Sequence, residues 1–402
     1  MSDAGTPGVD DRRWPLLLLI LSVTAVGQLS FAAVPPVLPE LAEALGVSRG
    51  AIGLVHGMVA FAGIFLAAYM GYLLDRFGRR RVIRWSLVLF GLAGTACFFA
   101  AEYWQMLLLR LLQGVGASTL LSVGMVLLGD QYHGYRRRWA LGLNVASMTV
   151  AGTLLPIAAG ALGEGGAFRP FLLYLLAFPV WCAARRIPEP SHAPSLVAPG
   201  QHLREALGDL RQRGRLSDFL GLLPMGFLSL GVYLGLSQAL FPLFLQREFG
   251  LGALSRGLLL AVGAAAASVA SALWGRVSGR VRPGQVILGG LALEVAGFLT
   301  IGLASPLWAV TLGSGLVGAG YGSLTPVLQH FATSAGHDRY RGALVGTWVS
   351  GNRVGMFTGP SVSTALASSL GDRNTYLAGA GVVALMAVAL VPVRRLAARR
   401  VR

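Results

Sequence analysis

The sequence predicts an all-α membrane protein of twelve transmembrane helices, arranged as two six-helix bundles related by a pseudo-two-fold axis along the membrane normal. Three observations predict this fold. Of the 402 residues, 54% are hydrophobic and only 12% are charged, with a mean hydropathy of +0.65. Arginines concentrate in every second loop between apolar segments. The two halves of the chain also match each other at an offset of 204 residues.

The low charge content excludes several classes of protein. Soluble domains carry roughly 25% charged residues, so this chain could not cover the surface of two or three soluble domains. The net charge of +16 comes entirely from arginine, mostly in short loops, which points to a lipid bilayer as the partner and not to nucleic acid. Cys97 and Cys182 both lie inside apolar segments, so neither a disulfide framework nor a metal site is expected.

Twelve apolar segments have the length of a transmembrane helix, which needs about 20 residues. The first is too long for a signal-peptide core, so it is interpreted as a retained span. The predicted spans are 14–38, 51–74, 84–101, 105–128, 139–162, 169–184, 218–245, 254–275, 285–304, 306–331, 342–367 and 374–393.

The arginines predict the orientation of these spans. With both termini in the cytoplasm, the cytoplasmic side carries 26 arginines and the opposite side 5, while Arg110 and Arg353 lie within spans. Membrane potential and anionic lipids retain cations on the cytoplasmic face. We therefore expect a multi-pass protein of the cytoplasmic (inner) membrane with both termini inside.

The longest polar stretch divides the chain into two sets of six spans. It is rich in proline and then continues as a basic amphipathic segment that is expected to lie on the membrane. The predicted domains are an N-terminal bundle at 1–184, a cytoplasmic linker at 185–217, and a C-terminal bundle with a basic tail at 218–402.

The internal repeat holds its register through several spans. The offset of 204 pairs Trp104 with Trp308 and Pro156 with Pro360, which chance produces less easily than a glycine match. The matching glycine pairs include Gly46 with Gly250, Gly114 with Gly318, and Gly116 with Gly320. Transporters built from such parallel repeats hold their substrate between the halves, near the midplane.

The loop between spans 2 and 3 carries the sequence Gly71-Tyr-Leu-Leu-Asp75-Arg76-Phe-Gly78-Arg79-Arg-Arg. Glycine permits close helix contact at its start and a tight turn near its end. This loop resembles the cytoplasmic signature of the major facilitator superfamily, and 275–283 resembles a decayed copy without the aspartate. The span count and the repeat extend the resemblance over the whole chain.

Span 4 contains Arg110, Gln113 and Ala117 on one helix face, in a stretch that resembles the second signature of the twelve-span drug–proton antiporter branch. Arginine at membrane depth costs roughly 2.5–3.5 kcal/mol on insertion scales. It should therefore face a cavity or a partner, unless it extends to the outer surface. Span 5 departs from the antiporter signature, because Thr153 stands where proline is expected and Pro156 comes three residues later.

The resemblance implies a charge network that holds the cytoplasmic side closed in the outward-open state. The alternative is that these are solvated loop charges. The residues of this conformational latch are Gly71, Asp75, Arg76, Gly78, Arg79 and Asp130.

The resemblance also implies that spans 1, 4, 7 and 10 line the cavity, flanked by 2, 5, 8 and 11. Each polar or aromatic residue there could instead join helices to each other. The candidates for the substrate cavity are Gln28, Phe31, His56, Arg110, Gln113, Asn144, Tyr233, Gln238, Tyr321, Trp348, Asn352 and Arg353.

Span 1 carries no acidic residue that could bind a proton, and the acid well inside a span is Glu294 in span 9. An intramembrane carboxyl is a functional candidate by default, and Arg110 is the other coupling candidate. A peripheral, structural role of span 9 is the alternative.

These features predict a monomeric secondary transporter that exports amphipathic small molecules by proton antiport and alternating access. An importer or uniporter of a small polar metabolite on the same fold remains the alternative. An enzyme is not expected, since the sequence lacks paired carboxylates, nucleophile–base pairs and phosphate loops. No cofactor or metal is expected.

Overall fold

The computed structural model describes residues 14–66, 69–189, 199–212, 214, 216–277, 281–333 and 341–399. Within these ranges the chain is helical, and the helices form the twelve passes and two bundles that the sequence predicts. Eight of the passes, the first five and the seventh to ninth, are long and apolar enough on their own to cross a membrane. The predicted fold class is therefore confirmed.

The N-terminal bundle contains passes one to six. Its helices are α1 (Trp14–Ala32), α2 (Leu38–Ala44), α3 (Arg49–Leu66), α4 (Met70–Phe77), α5 (Arg79–Ala96), α6 (Tyr103–Gln131), α7 (Gly134–Gly163) and α8 (Ala177–Ala183). The first pass is α1 with α2, and the second is α3 with α4.

The C-terminal bundle contains passes seven to twelve, preceded by a helix of the linker. The helices are α9 (Pro199–Gln212, the linker), α10 (Leu216–Val232), α11 (Phe241–Phe249), α12 (Ala253–Val277), α13 (Pro283–Leu303), α14 (Leu307–Thr333), α15 (Arg341–Leu370) and α16 (Asp372–Arg399). The seventh pass is α10 with α11.

Irregular turns next to prolines interrupt the first and seventh passes at positions that the internal repeat brings into correspondence. In the first pass, Pro35 and Pro36 begin a short 3₁₀ turn between α1 and α2, because proline cannot donate the backbone hydrogen bond that an α-helix needs. In the seventh pass, a π-helix runs from Tyr233 to Leu240 and ends just before Pro242. The wider register accommodates the missing N–H of that proline.

The sixth pass differs from the single helix that the sequence predicts at 169–184. A 3₁₀ helix occupies Arg169–Leu176 before α8 begins. Tyr174 lies in this segment and donates its hydroxyl to the carbonyl of Leu29 at 2.8 Å. In the C-terminal bundle, Tyr376 donates to the carbonyl of Leu236 at 3.1 Å. Each tyrosine thus holds the last pass of its bundle against the first.

Close glycine contacts repeat between the two bundles with the predicted offset. A Cβ on Gly114 would collide with the carbonyl of Val59, and a Cβ on Gly318 would collide with that of Gly263. Gly116 approaches the carbonyl of Ser86 as Gly320 approaches that of Gly290. Each partner is also displaced by 204 residues, so the internal repeat extends to individual packing contacts.

The bundles meet along two pairs of helices, α3 with α15 and α7 with α12. Gly50, Gly53 and Gly57 pack against α15, and Gly160 packs against the start of α12. We call the end of the molecule formed by residues 37–57 and 240–257 the closed end. The opposite end, which carries the predicted cytoplasmic loops, is the arginine-rich end.

The linker helix α9 packs on the C-terminal bundle through its apolar side. Its Ala206 and Leu210 are buried against Phe219 of α10 and Leu344 of α15. Arg204 and Glu205 on its other side are exposed. The sequence predicts this amphipathic segment but expects it on the membrane, whereas its apolar side lies against the C-terminal bundle.

Candidate transport site

Arg110 lies fully buried inside the N-terminal bundle. Its guanidinium donates to the backbone carbonyls of Ser30 at 2.9 Å and Val55 at 3.0 Å. It also donates to the Gln113 amide oxygen at 2.7 Å and to the Tyr174 hydroxyl at 3.1 Å. Arg110 thus joins passes one, two, four and six, and it does not extend to the outer surface. Two of its four acceptors are backbone carbonyls, and no residue pattern in the sequence identifies those two.

Two other candidates of the N-terminal bundle are buried beside passes one and two. His56 lies 6.0 Å from Phe31, ring centroid to centroid, and neither of its ring nitrogens has a hydrogen-bond partner. Asn144 accepts a 2.8 Å hydrogen bond from the Thr24 hydroxyl and so joins pass five to pass one. Gln28 is half-buried on α1.

A polar cluster forms in the C-terminal bundle around two tyrosines. The rings of Tyr233 and Tyr321 stack with centroids 3.9 Å apart and an interplanar angle of 5°. The side chain of Gln238 lies beside Tyr233, and Glu294 packs against Gly320, which precedes Tyr321 in the chain. Glu294 is buried and its Oε1 has no hydrogen-bond partner. The structure therefore brings the predicted acid of pass nine to the candidates of passes seven and ten.

Trp348 and Asn352 lie together where α15 meets α10. Both approach the same point beside Gly226, where a Cβ would meet Trp348 Nε1 at 2.9 Å and also collide with the Asn352 amide oxygen. Trp348 Nε1 and Asn352 Oδ1 are buried without hydrogen-bond partners. A polar ligand could accept a hydrogen bond from Trp348 Nε1–H and donate one to Asn352 Oδ1.

Arg353 lies at the junction of the two bundles. From α15 it extends to Gly63 of α3, where a Cβ would lie 3.2 Å from its Cδ and 3.3 Å from its Nε. The side chain is buried, and Nη1 has no hydrogen-bond partner. Arg353 is thus a cavity candidate of the C-terminal bundle that contacts a helix of the N-terminal bundle.

Polar contacts that no sequence pattern indicated join the two bundles at the closed end. Glu40 forms an ion pair with the buried Arg256, and the carboxylate of Glu164 accepts a 2.8 Å hydrogen bond from the backbone N–H of Leu254. Thr364 donates to the carbonyl of Gly50 at 2.9 Å. The available signal was the rarity of arginine on the predicted outer side: Arg256 is one of five arginines there, and it lies in the first turn of α12.

At the arginine-rich end, two predicted latch residues form a contact. Arg79 forms an ion pair with Asp130, both within the N-terminal bundle. Gly78 has a φ of +84°, so it makes the predicted turn, and Glu189 accepts hydrogen bonds from the next two backbone N–H groups. Arg76 is exposed. Beyond their place in α4, Gly71 and Asp75 lie outside the described residues.

A cavity of about 450 Å³ lies at the closed end. Its charged lining consists of Arg49, Arg247 and Asp372, and none of the predicted cavity residues borders it. Arg247 and Asp372 approach to 3.8 Å. It is therefore separate from the buried polar groups near the middle of the molecule.

Comparisons with known proteins agree with this architecture. The family model of the Major Facilitator Superfamily matches residues 20–283 and 234–402. Multidrug resistance protein MdtG of Salmonella choleraesuis (strain SC-B67) is 26% identical over 372 residues, covering 89% of this chain and 90% of the relative.

Solved structures share the fold. A bacterial homologue of the human lysosomal transporter Spinster, in an inward-facing and unoccupied conformation, has a TM-score of 0.72 at 16% identity, covering 95% of this chain and 96% of that one. Nucleoside transporter NupG has a TM-score of 0.74 at 13% identity, covering 92% and 98%.

The fold and these similarities identify a multi-pass membrane protein that moves small molecules and is not an enzyme. The family match spans both bundles. On this evidence, the chain is a member of the Major Facilitator Superfamily.

Proposed function

We propose that this protein exports amphipathic small molecules across the cytoplasmic membrane by proton antiport and alternating access, as a monomer with both termini in the cytoplasm. We also propose the division into domains at 1–184, 185–217 and 218–402. Similarity to a multidrug resistance protein over 89% of the chain supports the substrate class.

The observation that carries the proposal is the set of contacts between bundles at the closed end. With the orientation that the arginines predict, the closed end faces outward and the arginine-rich end faces the cytoplasm. The Glu40–Arg256 ion pair and the packing of Gly53 on α15 then hold the outer side shut. A transporter in this state would accept its substrate from the cytoplasm, as an exporter must.

Release outside requires the bundles to rock so that these contacts separate. Rigid-body rocking of two repeats around a central site is the general mode of alternating access. We propose that Gly71, Asp75, Arg76, Gly78, Arg79 and Asp130 then hold the cytoplasmic side closed. The Arg79–Asp130 pair within the N-terminal bundle supports this role by fixing the loop that would have to close.

We propose Glu294 as the proton-binding residue, with Arg110 as the second coupling candidate. A carboxyl buried without a hydrogen-bond partner on Oε1 is a functional candidate inside a membrane protein. Its proximity to Tyr233 and Tyr321 would let protonation affect passes seven and ten, which line the predicted passage. A membrane potential of 100 mV supplies about 2.3 kcal/mol for each proton moved inward.

The remaining cavity candidates are proposed to contact substrate. In the N-terminal bundle these are Gln28, Phe31, His56, Gln113 and Asn144, with Arg110 holding their helices together. In the C-terminal bundle, Gln238, Trp348, Asn352 and Arg353 accompany the two stacked tyrosines. The unpartnered nitrogens of His56 and the unpartnered atoms of Trp348 and Asn352 support this assignment.

Inside-out membrane vesicles test the proposal. We expect a hydrophobic dye to enter vesicles that contain the wild-type protein when their interior is acidified, and we expect dye addition to release protons. Glu294→Gln should abolish proton-driven uptake and keep dye exchange without a gradient. Glu205→Gln, at an exposed site on α9, is the control. If Glu294→Gln takes up dye as fast as wild type does, the coupling proton binds to a residue other than Glu294.

An importer or uniporter of a polar metabolite is the second candidate. The unpartnered Trp348 Nε1 and Asn352 Oδ1 favour it, because an apolar substrate would leave these atoms without partners. It predicts transport of a polar solute without any substrate-induced proton movement. Dye-dependent proton release in the same vesicles would exclude it.

A further inference from the structure

Arg353 brings a positive charge to the boundary between the bundles. Its side chain is only 6% exposed. It extends from α15 towards Gly63, and the Ser118 hydroxyl of α6 approaches the same position, 3.1 Å from where a Cβ on Gly63 would lie. The glycine leaves the space that the arginine occupies. Arg353 thus contacts one bundle while belonging to the other.

No described carboxylate forms an ion pair with Arg353, and its Nη1 has no hydrogen-bond partner. Arg110 is equally buried, but its guanidinium makes four hydrogen bonds. A buried cation without a counter-charge is strongly unfavourable, because its desolvation is not compensated. The two arginines therefore differ in their hydrogen bonds. The guanidinium of Arg110 donates to acceptors within the protein, whereas Nη1 of Arg353 can still donate to a ligand.

An apolar surface adjoins this charge. Phe357 lies one helical turn from Arg353 on α15, and its ring centroid is 4.9 Å from that of Phe61 on α3. Phe61 also packs edge-on against Phe65 at 5.6 Å. A ligand beside Arg353 would thus meet aromatic side chains from both bundles.

We propose that Arg353 binds the anionic group of an amphipathic organic anion, such as a carboxylate, whose apolar body packs on Phe61 and Phe357. This inference rests on the proposed export function and specifies its substrate class. Guanidinium and carboxylate form strong, charge-assisted hydrogen bonds, so a bound anion would supply the partner that Arg353 lacks. The ligand would contact both bundles at once and would therefore be sensitive to their rocking.

Three probes of one shape and different charge test the proposal: 1-naphthaleneacetate, 1-naphthaleneethanol and 1-naphthaleneethylamine. Binding is measured on the full chain in phosphatidylcholine nanodiscs. We expect wild type to bind the anion at least tenfold more tightly than the alcohol or the amine. Arg353→Gln should remove this preference, and Arg353→Lys, which keeps the charge, should retain most of it.

Equal affinity of wild type for the three probes would overturn the proposal, and this comparison requires no variant to fold. Loss of anion binding when phosphatidylglycerol is added at high ionic strength, where the charge of the lipid surface is screened, would also overturn it, because the site would then hold a lipid headgroup. Transport of the same probes by proteoliposomes separates the two proposals. Proton-driven transport of the alcohol or amine without anion preference refutes the anion site alone. Absence of proton-driven transport of all three probes and of the dye refutes the proposed function.

Discussion

Gly53 packs against Pro360 so closely that a Cβ on the glycine would collide with the proline carbonyl oxygen. Gly257 stands in the same relation to Pro156, and both residues of this second pair are displaced by 204 positions from those of the first. The two contacts join α3 to α15 and α12 to α7. Because both cross between the bundles, the pseudo-two-fold symmetry of the chain creates a matched pair of contacts at the closed end.

Gly53→Ala should destabilise the folded protein, because the added methyl group would collide with the backbone of Pro360, which cannot rotate away as a side chain can. We expect a loss of about 1–3 kcal/mol in the free energy of unfolding, the usual cost of overpacking. Thermal unfolding in detergent measures it. Gly351→Ala is the control, since a Cβ there meets nothing within 4 Å. Equal stability of the two variants would contradict the close contact.

Arg256→Gln should open the closed end, because it removes the charge that pairs with Glu40 across the bundles. Spin labels on cysteines at exposed Ser48 and Ser369, in a Cys182→Ser background, report the distance between the bundles there. We expect the population with a longer distance to increase.

Glu248→Gln provides the matched control for that experiment. Its partner Arg373, 2.9 Å away, belongs to the same bundle, so removing this pair should leave the distance distribution unchanged. If both variants broaden the distance distribution equally, the cause is a general loss of stability and not the loss of the Glu40–Arg256 pair.

Arg110→Ala should destabilise the protein more than Tyr174→Phe. The first leaves the carbonyls of Ser30 and Val55 without their donor, whereas the second removes one hydroxyl that accepts from Arg110 and donates to Leu29. Each buried polar group left unsatisfied costs about 1–3 kcal/mol. Thermal unfolding ranks the variants, and a smaller loss in Arg110→Ala would refute the bridging role.

The sequence predicted the features that depend on composition and period, and it missed those that depend on contact between distant segments. The repeat was visible in pairs such as Gly114 with Gly318, because helix packing demands glycine at both places. The Glu40–Arg256 pair was not visible, since 216 positions separate its members and only the folded bundles bring them together. Span 4 predicted a partner for Arg110, but a backbone carbonyl has no side-chain signature.

The same distinction explains the irregular helices. The predicted first span runs without a break from 14 to 38, whereas in the structure Pro35 and Pro36 begin a short 3₁₀ turn there. Proline lies beside the π-helix at Tyr233–Leu240 and within the 3₁₀ helix at Arg169–Leu176, but it does not specify the type of helix, so a window of apolar residues predicts ordinary α-helix in both places.

Asp372, just before the predicted twelfth span, should make stability depend on pH. Burial is the main cause that raises the pKa of its carboxyl, and Glu248 also raises it, while Arg247 and Arg49 act in the opposite direction. Because the folded state holds the proton more tightly, this contribution is fully present below the unfolded pKa of about 3.9. It is lost as pH rises through the higher folded pKa.

Asp372→Asn should remove that dependence. The amide stays neutral, so the variant should be at least as stable as wild type near neutral pH and should lose this advantage as the solution is acidified. Thermal unfolding between pH 4 and pH 8 measures the difference, with Glu205→Gln as an exposed control. A variant that becomes less stable than wild type at neutral pH would mean that the interaction of Asp372 with Arg247, 3.8 Å away, outweighs the cost of burying the charge.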